Sequence, residues 1–197
     1  VLHTYRALTY AITHALEVVS VSETGTDGRF FSYLPLSHIA ERLLVEMGAL
    51  YTNSTVYFAQ SLDVFAQNLA TASPTVFLAV PRIWTKFQMG ILSKIPQEKL
   101  SKLLKIPVLS WVLKRKFKKA LGLSKARSIV SGAAPLQETQ RTWFRKIGVS
   151  ITNGYGMTEN CAITTHLGDG IIDKPGSVGL AQPGVELKID SETSEIL

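Results

Sequence analysis

The chain has 197 residues, of which 46% are hydrophobic and 18% charged, a composition typical of one globular domain or of a piece of a larger one. No apolar run reaches the ~20 residues that a transmembrane helix needs. The first residues lack the charge-then-apolar order of a signal peptide, so we expect a cytoplasmic protein. The single cysteine, Cys161, excludes an internal disulfide and a multi-cysteine metal site; we interpret it as a buried, inert thiol.

The first half of the chain alternates between strand and helix patterns. The predicted elements are a helix over 5–19, a strand over 30–34 ended by Pro35, a helix over 38–50 with Ser37 as N-cap and Glu41 in its first turn, a strand over 55–58, a helix over 62–70, and a strand over 76–80 closed by Pro81. This alternation predicts an α/β fold with a mostly parallel sheet flanked by helices.

Residues 82–121 are predicted to be helical, with breaks at Pro96 and Pro107. In the last helical piece, one arc is apolar and the opposite arc is basic. The apolar arc holds Leu109, Val112, Leu113, Phe117 and Leu121, with Trp111 on or near it, and the basic arc holds Lys114, Arg115, Lys118 and Lys119. The pattern fits a plain surface helix, or a helix that touches phospholipid headgroups.

The net charge of +6 is concentrated around this helix, because 99–127 contains ten Lys or Arg residues and no Asp or Glu. Such a local patch favours an anionic surface or ligand as its partner. Interleaved apolar residues fit a lipid surface better than nucleic acid, where aromatic stacking positions are expected. We therefore expect peripheral contact with an anionic membrane through Lys99 to Arg127, and no nucleic-acid partner.

The rest of the chain is predicted to hold a strand over 126–130, a helix over 137–147, a short strand over 150–152 and a strand over 185–189. Between the last two lies 153–159, which reads Asn-Gly-Tyr-Gly-Met-Thr-Glu. Glycines on both sides of Tyr155 allow a sharp turn beneath a flat ring that a nucleotide base can stack on. Thr158 can donate to a phosphate, and Glu159 is a ligand that Mg²⁺ accepts. The other interpretation is an ordinary strand-end turn, with Tyr155 in the core and Glu159 solvated.

Three loops directly follow predicted strands, where parallel sheets bind ligands. They are 35–38 (Pro-Leu-Ser-His), 131–136 (Ser-Gly-Ala-Ala-Pro-Leu) and 155–159. Small residues at 132–134 allow a planar base or ribose to lie against bare backbone. Together the loops predict one ligand site at this edge of the sheet.

In these loops the sequence resembles the adenylate-forming (AMP-binding) superfamily, most closely the long-chain fatty acyl-CoA synthetases. The resemblance extends over nearly the whole chain. It rests on 33–42 (Tyr-Leu-Pro-Leu-Ser-His-Ile-Ala-Glu-Arg), on 74–77 with Val80-Pro81-Arg82-Ile83-Trp84, on 131–136, on 155–159, and on Gly176-Ser177-Val178-Gly179 with Pro183-Gly184.

The resemblance implies roles for individual residues. Thr158, Glu159 and His38 would be catalytic, with Glu159 holding Mg²⁺ and His38 bordering the carboxylate of the acyl substrate. His38 with Trp84, a gate in some members, would line the acyl tunnel. The implied nucleotide-binding residues are Gly132, Ala133, Ala134, Asn153, Gly154, Tyr155, Gly156, Met157 and Thr158. Space-filling roles remain the alternatives for His38, at a helix start, and for Trp84, in the core.

The implied reaction is a two-step ligation. A fatty acid attacks the α-phosphate of Mg·ATP to give an acyl-adenylate and pyrophosphate, and the thiol of CoA then takes the acyl group. The family's phosphate loop, ribose-binding aspartate and C-terminal domain are missing from the sequence. We therefore expect the chain to be the central fragment of the large N-terminal domain, inactive by itself, from a protein that is a homodimer at full length. The alternatives are a non-catalytic scaffold that keeps the synthetase fold, and a basic membrane-surface module.

Overall fold

The computed structural model describes residues 1–18, 27–166 and 174–196. Its helices are α1 (Tyr5–Val18), a π-helical segment (Glu41–Met47) that continues into α2 (Gly48–Tyr51), α3 (Phe65–Ala72), α4 (Pro81–Leu92), α5 (Gln97–Leu104), α6 (Pro107–Ala120), α7 (Glu138–Lys146) and a 3₁₀ turn (Thr158–Asn160). Proline at the first position of α4 and α6 is favourable, because that position has no helical partner for an N–H. No helix in the described ranges is both long and apolar enough to cross a bilayer.

The strands are β1 (Arg29–Ser32), β2 (Thr55–Phe58), β3 (Val76–Ala79), β4 (Ser128–Ser131), β5 (Thr152–Tyr155), β6 (Thr165–His166) and β7 (Leu180–Ala181). β1 and β2 form a parallel pair, and β3 to β7 form a five-stranded sheet in chain order. In that sheet β3, β4 and β5 are parallel, and β6 and β7 are added antiparallel. The predicted α/β fold with parallel strands and flanking helices is confirmed.

Two predicted strand positions are corrected. The predicted strand over 185–189 is wrong: its only ladder contact among the described residues is a single bridge between Ile189 and Ile196. The backbone N–H and C=O groups of a strand need a neighbouring strand for their hydrogen bonds. A sequence of alternating polar and apolar residues does not by itself supply that neighbour. The second correction concerns Gly154 and Tyr155, which belong to β5 and do not begin a turn, because they pair with His166 and Thr165 of β6.

The core has two parts, one on each side of the cavity described below. The larger part packs α3, α4, α6 and α7 against the sheet, with Trp84, Phe77 and Phe144 among its fully buried residues. The smaller part packs α1 and the π-helical segment around Leu43 and Ile163. Both parts are rich in large aliphatic and aromatic side chains, whose removal from water is the main favourable term in folding.

A long-range hydrogen bond joins the first helix to the end of the chain. The hydroxyl of Tyr10 on α1 donates to the carbonyl oxygen of Pro183 at 2.9 Å. The next residue, Gly184, has a φ of +70°, and a Cβ there would collide with Oη of Tyr10. Only glycine satisfies both requirements at position 184.

Candidate functional site

The three predicted loops converge on one cavity of about 280 Å³. Its wall includes His38 from the first loop, Gly132 and Ala133 from the second, and 154–158 from the third. The cavity lies at the carboxyl ends of β4 and β5, because Gly132 follows β4 directly and Tyr155 is the last residue of β5. This is the edge at which open α/β sheets bind ligands.

Most of the remaining wall is apolar. It is built by Ala15, Leu16, Phe30, Phe31, Leu34, Ile39, Ala40, Leu44, Val45, Val76, Leu78, Val80, Val130, Ala162 and Ile163. These residues come from α1, the π-helical segment and three strands, together with the segment after the 3₁₀ turn. The cavity therefore combines a few polar groups with a large hydrophobic surface, the usual make-up of a small-molecule site.

The third loop is held by hydrogen bonds with the residues that directly follow it. The amide of Met157 donates to Oδ1 of Asn160 at 3.0 Å, and the amide of Ala162 donates to the carbonyl of Met157 at 2.8 Å. A Cβ on Gly156 would collide with the carbonyl oxygen of Ala162. Glycine at 156 is thus required by the fold itself, and it places Tyr155 and Thr158 on the same side of the turn, facing the cavity.

Three non-glycine residues beside the cavity have left-handed backbone. The φ angles are 65° at Ala133, 59° at Cys161 and 61° at Ala162. Such conformations cost on the order of 1–2 kcal/mol for residues with a Cβ, and they concentrate at functional sites. Ala133 and Ala162 both line the cavity. Cys161 is 4% exposed, burial raises the pKa of its thiol, and its Sγ lies 3.3 Å from Nδ1 of His3.

Two other glycines on the wall are not required by protein packing. A Cβ on Gly132 would find its nearest atom at 3.5 Å, the carbonyl oxygen of Gly154, and a Cβ on Gly154 would find its nearest at 3.6 Å. These are ordinary van der Waals distances. A one-carbon side chain would therefore fit at both positions, so protein packing does not require glycine there. Both residues leave bare backbone on the cavity wall, which a ligand can approach.

His38 is oriented by the helix that follows it. The amide of Ala40 donates to Nδ1 of His38 at 3.2 Å, which leaves the ring proton on Nε2. His38, and not the predicted Ser37, is therefore the side chain that accepts from a helix-start amide. The ring lines the cavity and is exposed to it. An imidazole whose Nδ1 accepts in this way carries its N–H on Nε2 and can donate to an anionic or carbonyl oxygen.

Glu41 lies beneath the loop that carries His38. The sequence predicts Glu41 in the first turn of a helix, and in the structure this acid is fully buried. Its Oε2 accepts from the amide of Leu34 at 3.2 Å. Burial raises the pKa of Glu41, although hydrogen bonds from the hydroxyl of Ser32 and the amide of Leu34 partly oppose this. The only sign of this contact in the sequence is that Glu41 lies seven residues after Leu34.

Four of the predicted site residues do not line the cavity. Asn153 is buried, and its Nδ2 donates to the carbonyl of Ser177 at 3.3 Å, so this side chain holds the 176–179 segment against β5. Ala134 is exposed beside Ala133. Glu159 is exposed on the 3₁₀ turn, next to Thr158, which does line the cavity.

Trp84, the fourth of these residues, is in the core. It is fully buried, and its ring makes edge contacts with Phe77, Phe87 and Phe144 at centroid distances of 5.3–5.9 Å. Its Nε1 is buried without a hydrogen-bond partner in the described part of the chain. In this structure Trp84 fills space between α4, α7 and the sheet, and its role as a tunnel gate stays a prediction.

The residues around Thr158 fit a magnesium site of the kind completed by a substrate. No group of three or more His, Cys, Asp or Glu side chains that could hold a metal occurs in the described ranges. Within the described ranges, Glu159 is an exposed carboxylate directly after the wall residue Thr158. Mg²⁺ is usually bound by one or two carboxylates together with substrate phosphates and water, so a single acidic residue is sufficient here.

Gln182 is a polar wall residue that sequence patterns do not reveal. It is 8% exposed, lines the cavity, and has a buried Oε1 without a hydrogen-bond partner among the described residues. Its backbone amide donates to the carbonyl of Thr164 at 3.0 Å, which extends the pairing of β7 with β6. Only this long-range pairing brings residue 182 to the site.

The model of the AMP-binding enzyme family matches residues 1–197. The chain belongs to the AMP-binding enzyme family. Among curated proteins, it is 32% identical to long chain acyl-CoA synthetase 2 of Arabidopsis thaliana, with 92% of this chain and 30% of that protein covered. It is also 32% identical to the peroxisomal long chain acyl-CoA synthetase 7 of the same plant, with 90% and 29% covered. The chain thus spans about 30% of the length of these relatives.

Solved structures agree with the AMP-binding fold. The inhibitor-bound N-terminal domain of FACL13 from Mycobacterium tuberculosis has a TM-score of 0.69 at 18% identity, over all of this chain and 43% of that one. Apo MatB from Rhodopseudomonas palustris has a TM-score of 0.65 at 23% identity, over 97% of this chain and 33% of that one. At these identities the likeness establishes the fold alone.

Proposed function

We propose that this chain is part of a long-chain fatty acid:CoA ligase, which activates a fatty acid with ATP to an acyl-adenylate and then transfers the acyl group to CoA. The observation that carries the proposal is the single cavity in which three loops with nucleotide-binding character meet a mainly apolar wall. An adenylate needs the polar loops, and an alkyl chain needs the apolar wall. The two long chain acyl-CoA synthetases at 32% identity support this substrate class.

The nucleotide would occupy the side of the cavity formed by the second and third loops. Tyr155 supplies a flat ring on which adenine stacks, and the bare backbone of Gly132 and Gly154 on the cavity wall lets the base approach closely. Stacking of a base on an aromatic ring is worth about 1–3 kcal/mol. The hydroxyl of Thr158 would donate to a phosphate oxygen.

The fatty acid would lie along the apolar wall with its carboxylate near His38. The Nε2–H of His38 can donate to that carboxylate, because Nδ1 is already occupied by the amide of Ala40. Glu41 acts through the loop: by accepting from Leu34 it fixes the backbone that leads to His38. His38 would hold the carboxylate against the α-phosphate. Positioning of this kind lowers the activation barrier, because the substrates lose translational and rotational freedom on binding and not during the reaction.

Magnesium, when bound, would neutralise phosphate charge during the attack on the α-phosphate. Glu159 is the residue that would hold it, together with oxygens of the nucleotide. Among the residues of this chain, Thr158 orients the phosphate and Glu159 supplies the charge that attracts the metal. Both lie on one short turn whose geometry the fold fixes through Gly156 and Asn160.

Pyrophosphate release by the full-length protein, with ATP, Mg²⁺ and palmitate, tests this proposal. We expect release that depends on the fatty acid and that falls on the order of 10²-fold in Thr158→Ala and Glu159→Gln. Glu195→Gln, an exposed acid away from the cavity, is the matched control. Release that is independent of palmitate, or equal in all variants, would contradict the proposal.

The second half-reaction has its own readout. Formation of palmitoyl-CoA after addition of CoA distinguishes a ligase from an enzyme that stops at the adenylate. We further propose that the 197-residue chain alone does not turn over, because it spans only about 30% of the length of its relatives. Robust pyrophosphate release from the isolated chain would overturn that part.

A further inference from the structure

We propose that α6 carries a docking site for a bilayer containing anionic phospholipids. The site, called here the α6 patch, consists of Ile106, Val108, Trp111, Arg115 and Lys119. Ile106 is 53% exposed, Val108 76% and Trp111 59%. The sequence pattern predicts Trp111 on or near the buried arc, and the structure corrects this: Phe117 and Ser110 face the core, and Trp111 faces away from it.

The patch is a continuous stripe along the helix. Val108, Trp111 and Arg115 are spaced three and four residues apart, and such residues share one face of an α-helix. Lys119 extends the same face by one turn. The apolar residues occupy the first half of the stripe and the cations the second half. Val108 and Trp111 are both more than half exposed and share this face, and adjacent exposed apolar side chains need an explanation.

The charge around the patch is of one sign. No acidic residue occurs in 99–127, and the last turn of α7 adds the exposed Arg145 and Lys146. The acids on the neighbouring helices are Glu98, in the first turn of α5, and Glu138 of α7, which is paired with Arg141 at 2.9 Å and with Arg145 at 3.8 Å. Each Lys or Arg near an anionic membrane strengthens binding about fivefold.

The α6 patch itself offers the two kinds of contact that a membrane surface requires. Its apolar residues suit the acyl boundary, and Arg115 and Lys119 suit the headgroups, because cations are usual partners of phosphate oxygens. An exposed apolar stripe that ends in cations on one helix face matches these two layers.

The same geometry disfavours nucleic acid. Proteins that bind single strands offer free aromatic faces for bases to stack on. Trp111 is the one large exposed aromatic of α6, and the guanidinium of Arg115 lies over its ring at 4.8 Å from the centroid. One face of the indole is therefore occupied by Arg115, and the exposed ring suits a lipid interface, where tryptophan is enriched.

The patch is independent of the proposed catalytic site. The aliphatic stem of Lys114 packs on Gly148, four residues before β5 begins, whereas the cavity lies where β5 ends. Substitutions in the patch are thus expected to leave pyrophosphate release from soluble substrates unchanged. A failure of the membrane proposal would therefore leave the ligase proposal intact, and the reverse also holds.

Co-sedimentation of the full-length protein with vesicles tests the proposal. The vesicles contain phosphatidylcholine alone, or phosphatidylcholine with about one third phosphatidylglycerol. We expect at least tenfold stronger partition onto the anionic vesicles at low salt, and loss of that preference at high salt. Arg115→Glu with Lys119→Glu should reduce the partition at least tenfold, whereas Lys188→Glu, an exposed cation elsewhere, should not.

Tryptophan fluorescence gives an independent readout. Trp84 and Trp143 are buried, so the difference between wild type and Trp111→Phe reports on Trp111. We expect a blue shift of this difference spectrum with anionic vesicles, and quenching by lipids brominated near the headgroup. Val108→Ser should weaken partition about tenfold, with Leu62→Ser, 65% exposed, as its matched control.

Three results would overturn the proposal. They are equal partition onto neutral and anionic vesicles, unchanged partition of the Arg115→Glu, Lys119→Glu variant, and an unshifted Trp111 spectrum on vesicle binding. Salt-sensitive binding of a single-stranded RNA without binding to anionic vesicles would identify the surface as a nucleic-acid site and would also overturn it.

Discussion

The amide of Ala40 donates to Nδ1 of His38, so that the helix start fixes the tautomer and the direction of the ring that faces the cavity. This hydrogen bond uses only Nδ1, so Nε2 keeps its proton and can donate it to a ligand. An imidazole held in this way is already oriented before substrate binds, and orientation in advance reduces the entropy lost on binding. His38 is therefore the side chain whose removal is most informative about the acyl end of the site.

His38→Ala should lower kcat/KM for the fatty acid by about 10- to 150-fold, since a hydrogen bond to a charged group is worth about 1.5–3 kcal/mol. The KM for ATP should change little. Initial rates of pyrophosphate release at varied palmitate and varied ATP measure both effects. The control is His14→Ala on α1, since His14 does not line the cavity. An equal loss for both substrates would contradict a role at the carboxylate.

Gly132→Ala and Gly156→Ala should show which of the two glycines is needed for ligand binding and which for stability. At 132 a Cβ meets only atoms at 3.5 Å or more, so stability should change by less than about 0.5 kcal/mol while ATP binding weakens. At 156 a Cβ collides with the Ala162 carbonyl, so the turn must shift, at a cost of about 1–3 kcal/mol.

Urea unfolding and titration with ATP measure this pair. Equal destabilisation by Gly132→Ala and Gly156→Ala would contradict this distinction. ATP binding by Gly132→Ala as tight as that of wild type would show that no ligand needs the bare backbone at residue 132.

Glu41→Gln should stabilise the protein increasingly as the pH rises above 4.5. Burial raises the folded pKa of Glu41 above its ordinary value of 4.5, so its contribution to stability is complete below pH 4.5 and is lost as the pH rises toward the folded pKa. Glutamine does not titrate and keeps an oxygen for the amide of Leu34. The difference in unfolding free energy, variant minus wild type, should rise by up to about 1.4 kcal/mol per pH unit in that window.

Urea unfolding at several pH values measures this difference. Glu98→Gln, an exposed acid on α5, controls for the loss of one negative charge. A difference for Glu41→Gln that stays flat from pH 4.5 upward, or falls, would contradict a buried carboxyl with a raised pKa.

Trp84→Ala should cost about 3–5 kcal/mol of unfolding free energy, because the ring is fully buried among three other aromatic residues. Trp84→Phe should cost less than about 1.5 kcal/mol, since it keeps a ring and removes an N–H that has no partner in the described structure. Trp111→Ala, at an exposed position, is the control for losing an indole. If Trp84 also gates an acyl tunnel, Trp84→Phe will change the preferred acyl chain length.

The sequence predicts the convergence of the three loops well, because each follows a strand and parallel strands end at one edge. His38, Gly132 and Tyr155 all reach the cavity as expected. Local patterns carry this information: proline closes β3, and small residues follow β4. The resemblance to AMP-binding enzymes adds roles for these residues that spacing alone does not provide.

What the sequence does not predict depends on distant partners. Tyr155 belongs to a strand because Thr165 pairs with it, and Gln182 reaches the cavity because Thr164 accepts from its amide. Glu41 is buried because the π-helical segment turns it under the loop of Leu34, and no helical period signals a π-helix. Such segments are rare and frequently occur at functional sites.

The hydrogen bond from Tyr10 to Pro183 has a consequence for the order in which the protein folds. Its partners are 173 residues apart, so a ribosome adding about 5–20 residues per second needs roughly 9 to 35 s to supply the second after the first. During that interval α1 can already pack its apolar face on the π-helical segment, which is made soon after it. The bond to Pro183 is therefore a late contact, which fastens a helix whose apolar face can already be covered.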